Sequence, residues 1–153
     1  MSGNPSPKVL LFTPVDPNVT YKPPKRHYSG DCGYDLTVAK GAVIAPRSFA
    51  QISTNIRVAL PVGVWGMVMG RSSSFYKRGL VIYPGIIDGG WRGELFGMAY
   101  NLTNQPVVVK PGERVAQFII FNLVTPECRE VGPNDFPTGE RGENGFGSTG
   151  DIP

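Results

Sequence analysis

The segment Arg141-Gly-Glu-Asn-Gly-Phe-Gly-Ser-Thr-Gly150 places four glycines among one arginine, one aromatic ring and two hydroxyls. Such a mixture has almost nothing to bury, but it can close over a ligand. Glycines allow backbone N–H groups to converge on an anion. Arg141 offers a forked cation for phosphate. Phe146 can stack on a flat base, and Ser148 and Thr149 can donate to phosphate oxygens. Elsewhere, Asp88-Gly-Gly-Trp-Arg-Gly93 carries a carboxylate in a turn sequence, with an aromatic ring three residues on. A carboxylate held there can take a proton from a positioned water. The alternative is a turn aspartate that bonds its own backbone, common before glycine.

These residues need a frame. The chain has 153 residues, enough for one domain with its own core. Twenty glycines and fifteen prolines disfavour helices and favour short strands with many turns. Alternation predicts strands at 9–12, 34–38, 43–44, 64–69, 80–83, 86–87, 107–109, 115–121 and 127–131. A single long strand is expected over 49–60. Ser72 to Lys77 is expected to form a short helix capped by serine. Residues 88–93 are expected to form a hairpin tip between 86–87 and a partner strand over 94–102. Many short strands at regular spacing indicate an all-β jelly-roll barrel with one short helix, formed by residues 1–153, with 132–153 as a mobile, glycine-rich C-terminal arm.

Several function classes are disfavoured. Cys32 and Cys128 form no CxxC pair, and His27 is the only histidine, which argues against a zinc site and leaves the cysteines as buried free thiols. A net charge of +3 makes no case for nucleic-acid binding. No apolar run reaches the roughly 18–20 residues that span a bilayer, and the N-terminus lacks a signal-peptide stretch. A cytoplasmic protein is expected.

Five polar or glycine-rich clusters interrupt the strands: Gly30-Asp-Cys-Gly-Tyr-Asp-Leu36, Gly70-Arg-Ser-Ser-Ser-Phe-Tyr-Lys-Arg-Gly79, Gly85-Ile-Ile-Asp-Gly-Gly-Trp-Arg-Gly-Glu94, Pro111-Gly-Glu-Arg-Val-Ala-Gln117 and the 141–150 segment. In order and spacing they resemble the five motifs of the trimeric dUTPase family, over about residues 9–150. Pro46-Arg-Ser48 also resembles the second motif, but lies too close to the first.

The resemblance implies hydrolysis of dUTP to dUMP and pyrophosphate, by water attack on the α-phosphorus. It also implies Mg²⁺ held mainly by the triphosphate, and a homotrimer whose active sites are shared between subunits and closed by a neighbour's tail. By the same resemblance Asp88 is the catalytic base, and Asp35 orients waters on Mg²⁺. Arg71, Ser72 and Gln117 contact the phosphates, with Ser73, Gly85 and Gly147 in the same substrate-binding set. Trp91, where most members carry tyrosine, packs on the deoxyribose and excludes a 2′-hydroxyl. Main-chain groups of Leu95, Phe96 and Gly97 pair with uracil. Arg141, Ser148 and Thr149 bind the outer phosphates, and Phe146 covers the base. Gly90-Trp91 and Ile82 depart from the commonest pattern. Ile-Asp-Gly-Gly-Trp also resembles the related dCTP deaminases, but the position of their carboxylate base is Met98 here. A purely binding or regulatory relative could have lost Asp88 or the tail, and this chain keeps both.

Overall fold

The computed structural model describes residues 8–142. Eleven strands and one helix follow in the order β1 (Leu11–Pro14), β2 (Gly33–Thr37), β3 (Ala42–Ile44), β4 (Phe49–Ile52), β5 (Ile56–Ala59), β6 (Val64–Gly70), α1 (Ser72–Arg78), β7 (Leu80–Tyr83), β8 (Gly85–Ile87), β9 (Gly97–Asn101), β10 (Val107–Val109) and β11 (Arg114–Asn122). All pairings are antiparallel. The sheets are β2-β11-β6-β8, β4-β9-β7, β1-β5 and β3-β10. They form a jelly-roll-like arrangement, and hydrogen bonding does not close them into a continuous barrel.

Period-two alternation makes this core. In β6, Val64, Gly66 and Val68 are buried, while Trp65, Met67 and Met69 are half-buried on the opposite face. Phe118 of β11 is fully buried, and joins Leu36, Ile52, Ile82, Leu95, Ala99 and Val115 in one apolar cluster. Truncating a ring as enclosed as Phe118 to alanine typically costs about 3–5 kcal/mol. Among the described residues no helix is long and apolar enough to cross a membrane.

Five expectations need correction. The 49–60 run is two strands in different sheets, because Asn55 adopts a left-handed φ of 57° between them. Asparagine tolerates this conformation better than most residues. Its amide donates to the carbonyls of Asp16 and Val19, and its Oδ1 accepts from the Asp16 N–H, so the break is pinned from outside the strand. Residues 127–131 form no strand and lie exposed. Ser72 is not the helix cap: Arg71 holds that position without a side-chain capping bond, and Ser72 is the first helical residue. Both cysteines are exposed, not buried. Finally, β8 and β9 are not partners. β8 pairs with β6, whereas β9 lies between β4 and β7, so residues 88–96 connect two sheets instead of turning a hairpin.

Candidate active site

The cleft with the richest polar lining encloses about 460 Å³ and is bounded by His27, Tyr28, Asp31, Cys32, Gly33, Asp35, Arg71, Ser72, Arg114 and Gln117. It gathers the first, second and fourth sequence clusters. Three elements position it. Arg71 and Ser72 lie where β6 ends and α1 begins. Asp35 of β2 lies opposite Gln117 of β11, and Gln117 opposite Met69 of β6.

Asp35 is the hub. Its Oδ1 lies 2.9 Å from Arg71 Nε and its Oδ2 lies 3.0 Å from Arg114 Nη1. Arg71 Nη1 also donates to the Arg114 carbonyl at 3.2 Å. Two guanidiniums against one carboxylate leave this trio one positive charge in excess. Gln117 donates its amide to the Gly70 carbonyl at 2.9 Å. Its side chain lies so close over Gly33 that a Cβ there would sit 2.5 Å from Oε1. Gly33 is therefore needed for a close approach. Asp31 organises the cleft mouth by accepting the backbone N–H groups of His27 (3.1 Å) and Tyr28 (2.8 Å).

The third cluster lies elsewhere. Gly85, Ile86 and Ile87 of β8 pair with Val68, Met67 and Gly66, so Asp88 emerges near the start of β6 while Arg71 follows its end. At ~3.3 Å per residue, roughly 15–20 Å of strand separates the two. Asp88 is exposed, with no ion pair among the described residues. Its loop is self-braced: Trp91 N–H donates to the Asp88 carbonyl at 3.0 Å, and Arg92 Nη1 donates to the carbonyls of Gly89 and Trp91. The Trp91 indole lies across Gly93, where any Cβ would overlap it.

Other anticipated residues are scattered. Ser72 lines the cleft, while Ser73, Gly85, Phe96 and Gly97 do not. The Leu95 side chain is fully buried, its N–H donates to Ile56 O at 2.8 Å, and its carbonyl accepts from Thr54 Oγ1 at 2.6 Å. Ile82 faces the core, not the cleft. Arg141 lies exposed outside the cleft, and Phe146, Gly147, Ser148 and Thr149 lie outside the described residues. Arg47, the arginine of the decoy motif, has its Nε bonded to Asn104. The reading of motifs missed Arg114 as a cleft residue. Its signal was a second arginine three residues before Gln117.

The donor set bears on magnesium. Among the described residues no group of three or more His, Cys, Asp or Glu side chains could hold a metal. Of the two carboxylates in the cleft, Asp35 faces two arginines and Asp31 is turned onto backbone N–H groups. These residues suit a cation carried in by a polyphosphate, not one caged by the protein.

Comparison with known proteins agrees with the motif pattern. The dUTPase family model matches residues 20–150. The deoxyuridine 5′-triphosphate nucleotidohydrolase of Paramecium bursaria Chlorella virus 1 is 36% identical over 127 residues, covering 83% of this chain and 89% of its own. That of Candida albicans is 34% identical over 143 residues, covering 94% and 87%. The Staphylococcus bacteriophage 80alpha dUTPase, solved with dUpNHpp, superposes with a TM-score of 0.83 at 30% identity, covering 93% of this chain and 98% of its own. A dUTPase from phage phi11 of S. aureus, described with a structural Mg(II) ion, gives a TM-score of 0.75 at 26% identity, covering 80% and 96%. With the family model spanning most of the chain and relatives this similar along nearly their whole length, the chain belongs to the dUTPase family.

Proposed function

We propose that this protein hydrolyses dUTP to dUMP and pyrophosphate, in active sites shared between the subunits of a homotrimer. The observation that carries the reading is the split of the machinery along β6. A cation-lined cleft lies at one end, and an exposed carboxylate beside an aromatic ring lies at the other. One chain cannot bring Asp88 to a phosphate held by Arg71. A second copy presenting its 88–93 loop to the first copy's cleft does so. The outer face of the same sheet supports such docking. It runs from the cleft through the Met67, Ile119 and Ile86 row to the stacked rings of Trp65 and Phe121, 4.6 Å apart. Ile86 is 57% exposed there, an apolar surface that a second copy would cover.

In the proposed reaction Asp88 accepts a proton from water, and the water oxygen attacks the α-phosphorus. The bond between the α-phosphorus and the bridging oxygen breaks, and pyrophosphate leaves. Arg71, Ser72 and Gln117 hold the phosphate chain, so positioning and charge neutralisation carry most of the rate enhancement. Mg²⁺ bound to the triphosphate would neutralise further charge. Trp91 packs on the sugar and leaves no room for a 2′-hydroxyl, while main-chain groups around Phe96 read the base. Arg141, Phe146, Ser148 and Thr149 would close the site from a neighbouring tail. Residues 1–153 act as one domain, with 132–153 as the arm.

The deaminase alternative lacks its base. Met98 in β9 is a thioether, and the nearby Glu94 carboxylate accepts from Ser53 Oγ (2.6 Å) and the Asn55 N–H (2.8 Å), a structural engagement. The test is pyrophosphate release from dUTP, dCTP, dTTP and UTP in parallel, with Mg²⁺ and with product identification. Conversion of dUTP alone to dUMP is expected. Conversion of dCTP to a uracil nucleotide, or silence on all four, would overturn the reading.

A further inference from the structure

Helix α1 meets β11 along a single stripe. Arg71, Ser74 and Arg78 lie three and four residues apart, a spacing that puts them on one face of a helix. That face rests on Glu113, Arg114 and Val115, the three consecutive residues that open β11. Arg71 Nη1 donates to the Arg114 carbonyl at 3.2 Å, Ser74 Oγ to the Val115 carbonyl at 2.7 Å, and Arg78 Nη1 to Glu113 Oε2 at 2.7 Å. The three contacts differ in burial. Ser74 is 2% exposed, whereas the arginines and Glu113 are partly open to solvent.

The course of the main chain explains why a hydroxyl is needed there. Strand β6 pairs with β11 from Val64 opposite Asn122 as far as Gly70 opposite Ala116, and then turns into α1. On its other side β11 is irregular: Ala116 pairs with Leu36 and Arg114 with Thr37, a bulge at Val115. The carbonyls of Arg114 and Val115 thus lie just beyond the ladder with β6, and side chains from α1 and its cap take them. A carbonyl as enclosed as that of Val115 requires a donor. A helix of seven residues has little stability of its own, so its place depends on such contacts.

We infer that Ser74 is a positioning residue: its hydroxyl registers α1 on the bulge of β11 and so aims Arg71 and Ser72, up to one turn away, into the cleft. Ser74 does not line the cleft, and Arg71 and Ser72 do. Removing the hydroxyl leaves the Val115 carbonyl without its donor and frees α1 to rotate or slide on β11. Arg71, whose own carbonyl contact lies on the adjacent residue of β11, moves with it. The exposed Arg78 pair holds only the far end of the helix.

The inference rests on the proposed function, and the test separates the two. Affinities for dUpNHpp and for inorganic tripolyphosphate are measured on the full-length wild type, Ser74→Ala, Ser74→Thr, Arg71→Ala and the Arg71→Ala/Ser74→Ala double variant. Thermal melts and solution masses establish that each is folded. Ser74→Ala is expected to weaken both probes roughly tenfold, the scale of a sub-ångström misplacement of binding groups. Ser74→Thr, which keeps the hydroxyl, should recover most of that loss. In the Arg71→Ala background the second substitution should add little, because a residue that acts through Arg71 has nothing left to aim. Ile44→Val, a core truncation in β3, should lower the melting temperature without moving either affinity. If Ser74→Ala does not fold, Ser74→Cys, close in shape with a weaker donor, carries the same cycle. A folded Ser74→Ala that binds both probes like wild type overturns the inference. So does a loss of equal size in both Arg71 backgrounds, which would make Ser74 a contributor to stability alone. Failure of the wild type to turn over dUTP strikes the proposed function, and the tripolyphosphate series then decides the role of Ser74 by itself. A wild type that binds neither probe overturns both.

Discussion

The two ends of β6 contrast in how far a single chain has finished them. At the Arg71 end, side chains from β2, the β6–α1 junction and β11 brace one another by ion pairs and a carbonyl contact. At the Asp88 end the hydrogen bonds that brace the loop among the described residues run to its own Asp88, Gly89 and Trp91 carbonyls, and its carboxylate and half of its indole are left in solvent. Preorganisation of the cations costs little within one subunit, because several strands converge there. The Asp88 carboxylate and the Trp91 ring have no such partners from other strands among the described residues. On the proposed reading, the difference teaches that the phosphate half of the site is a property of the fold, and the chemical half a property of assembly.

The sharpest way to break the comparison is Asp88→Asn. Shape is kept and the base is lost, so turnover should fall about 10²–10⁴-fold while dUpNHpp affinity stays within a few-fold, read by single-turnover kinetics and titration. Near wild-type turnover would remove Asp88 from catalysis.

The next test mixes subunits. Asp88→Asn and Arg71→Ala proteins, each nearly inactive, are unfolded together and refolded. If a site takes its base from one chain and its arginine from another, activity should return to about a quarter of wild type by random mixing of identical interfaces. No recovery in verified mixed trimers would place both residues of a site on one chain.

Trp91→Ala addresses the indole that lies on Gly93. If the ring excludes a 2′-hydroxyl, the ratio of kcat/KM for dUTP over UTP should fall roughly 10–100-fold, the scale of a shape-based discrimination. An unchanged ratio would reduce Trp91 to loop packing.

The smallest effect is expected away from both ends. Glu113 pairs with Arg78 at 2.7 Å, and Arg78 also reaches the Val108 carbonyl. Burial raises the Glu113 carboxyl, but the hydrogen bonds from Arg78 and the Lys110 backbone, with the charges of both residues, outweigh it and hold the group below its ordinary value of 4.5. A carboxylate depressed on folding contributes stability that is fully present above its unfolded pKa and lost as pH falls from there through the folded value. Glu113→Gln should therefore cost about 0.5 kcal/mol near pH 7, the scale of an exposed pair. Denaturant melts of the two proteins should converge as pH drops below about 4.5. A constant gap down to low pH would show that the pair contributes by hydrogen bonding alone.

Much was legible in the sequence because it is local. Alternation in 64–69 and 80–83 reports β6 and β7 within a residue, since one face of each packs on the core. Asp-Gly-Gly-Trp marked the carboxylate loop, because its turn residues and its ring are adjacent in the chain. Pairing is another matter. Asp88 was read as a hairpin tip because neighbouring strands usually pair, yet β8 joined β6. The 49–60 run kept its alternation through Asn55, so nothing in the pattern announced that the chain changes sheet there. Arg114 passed unnoticed because strict alternation does not register a bulge.

By itself, then, the amino-acid sequence determined the all-β class, most of the strands and the five clusters, since short-range sterics and side-chain periodicity encode them. Tertiary structure alone decided that Asp35 meets two arginines 36 and 79 residues away, and that Asp88, following β8, lies beside the end of β6 opposite to Arg71. Those outcomes depend on which strands hydrogen-bond and in what register, an energy summed over contacts distant in the chain and invisible to any local pattern.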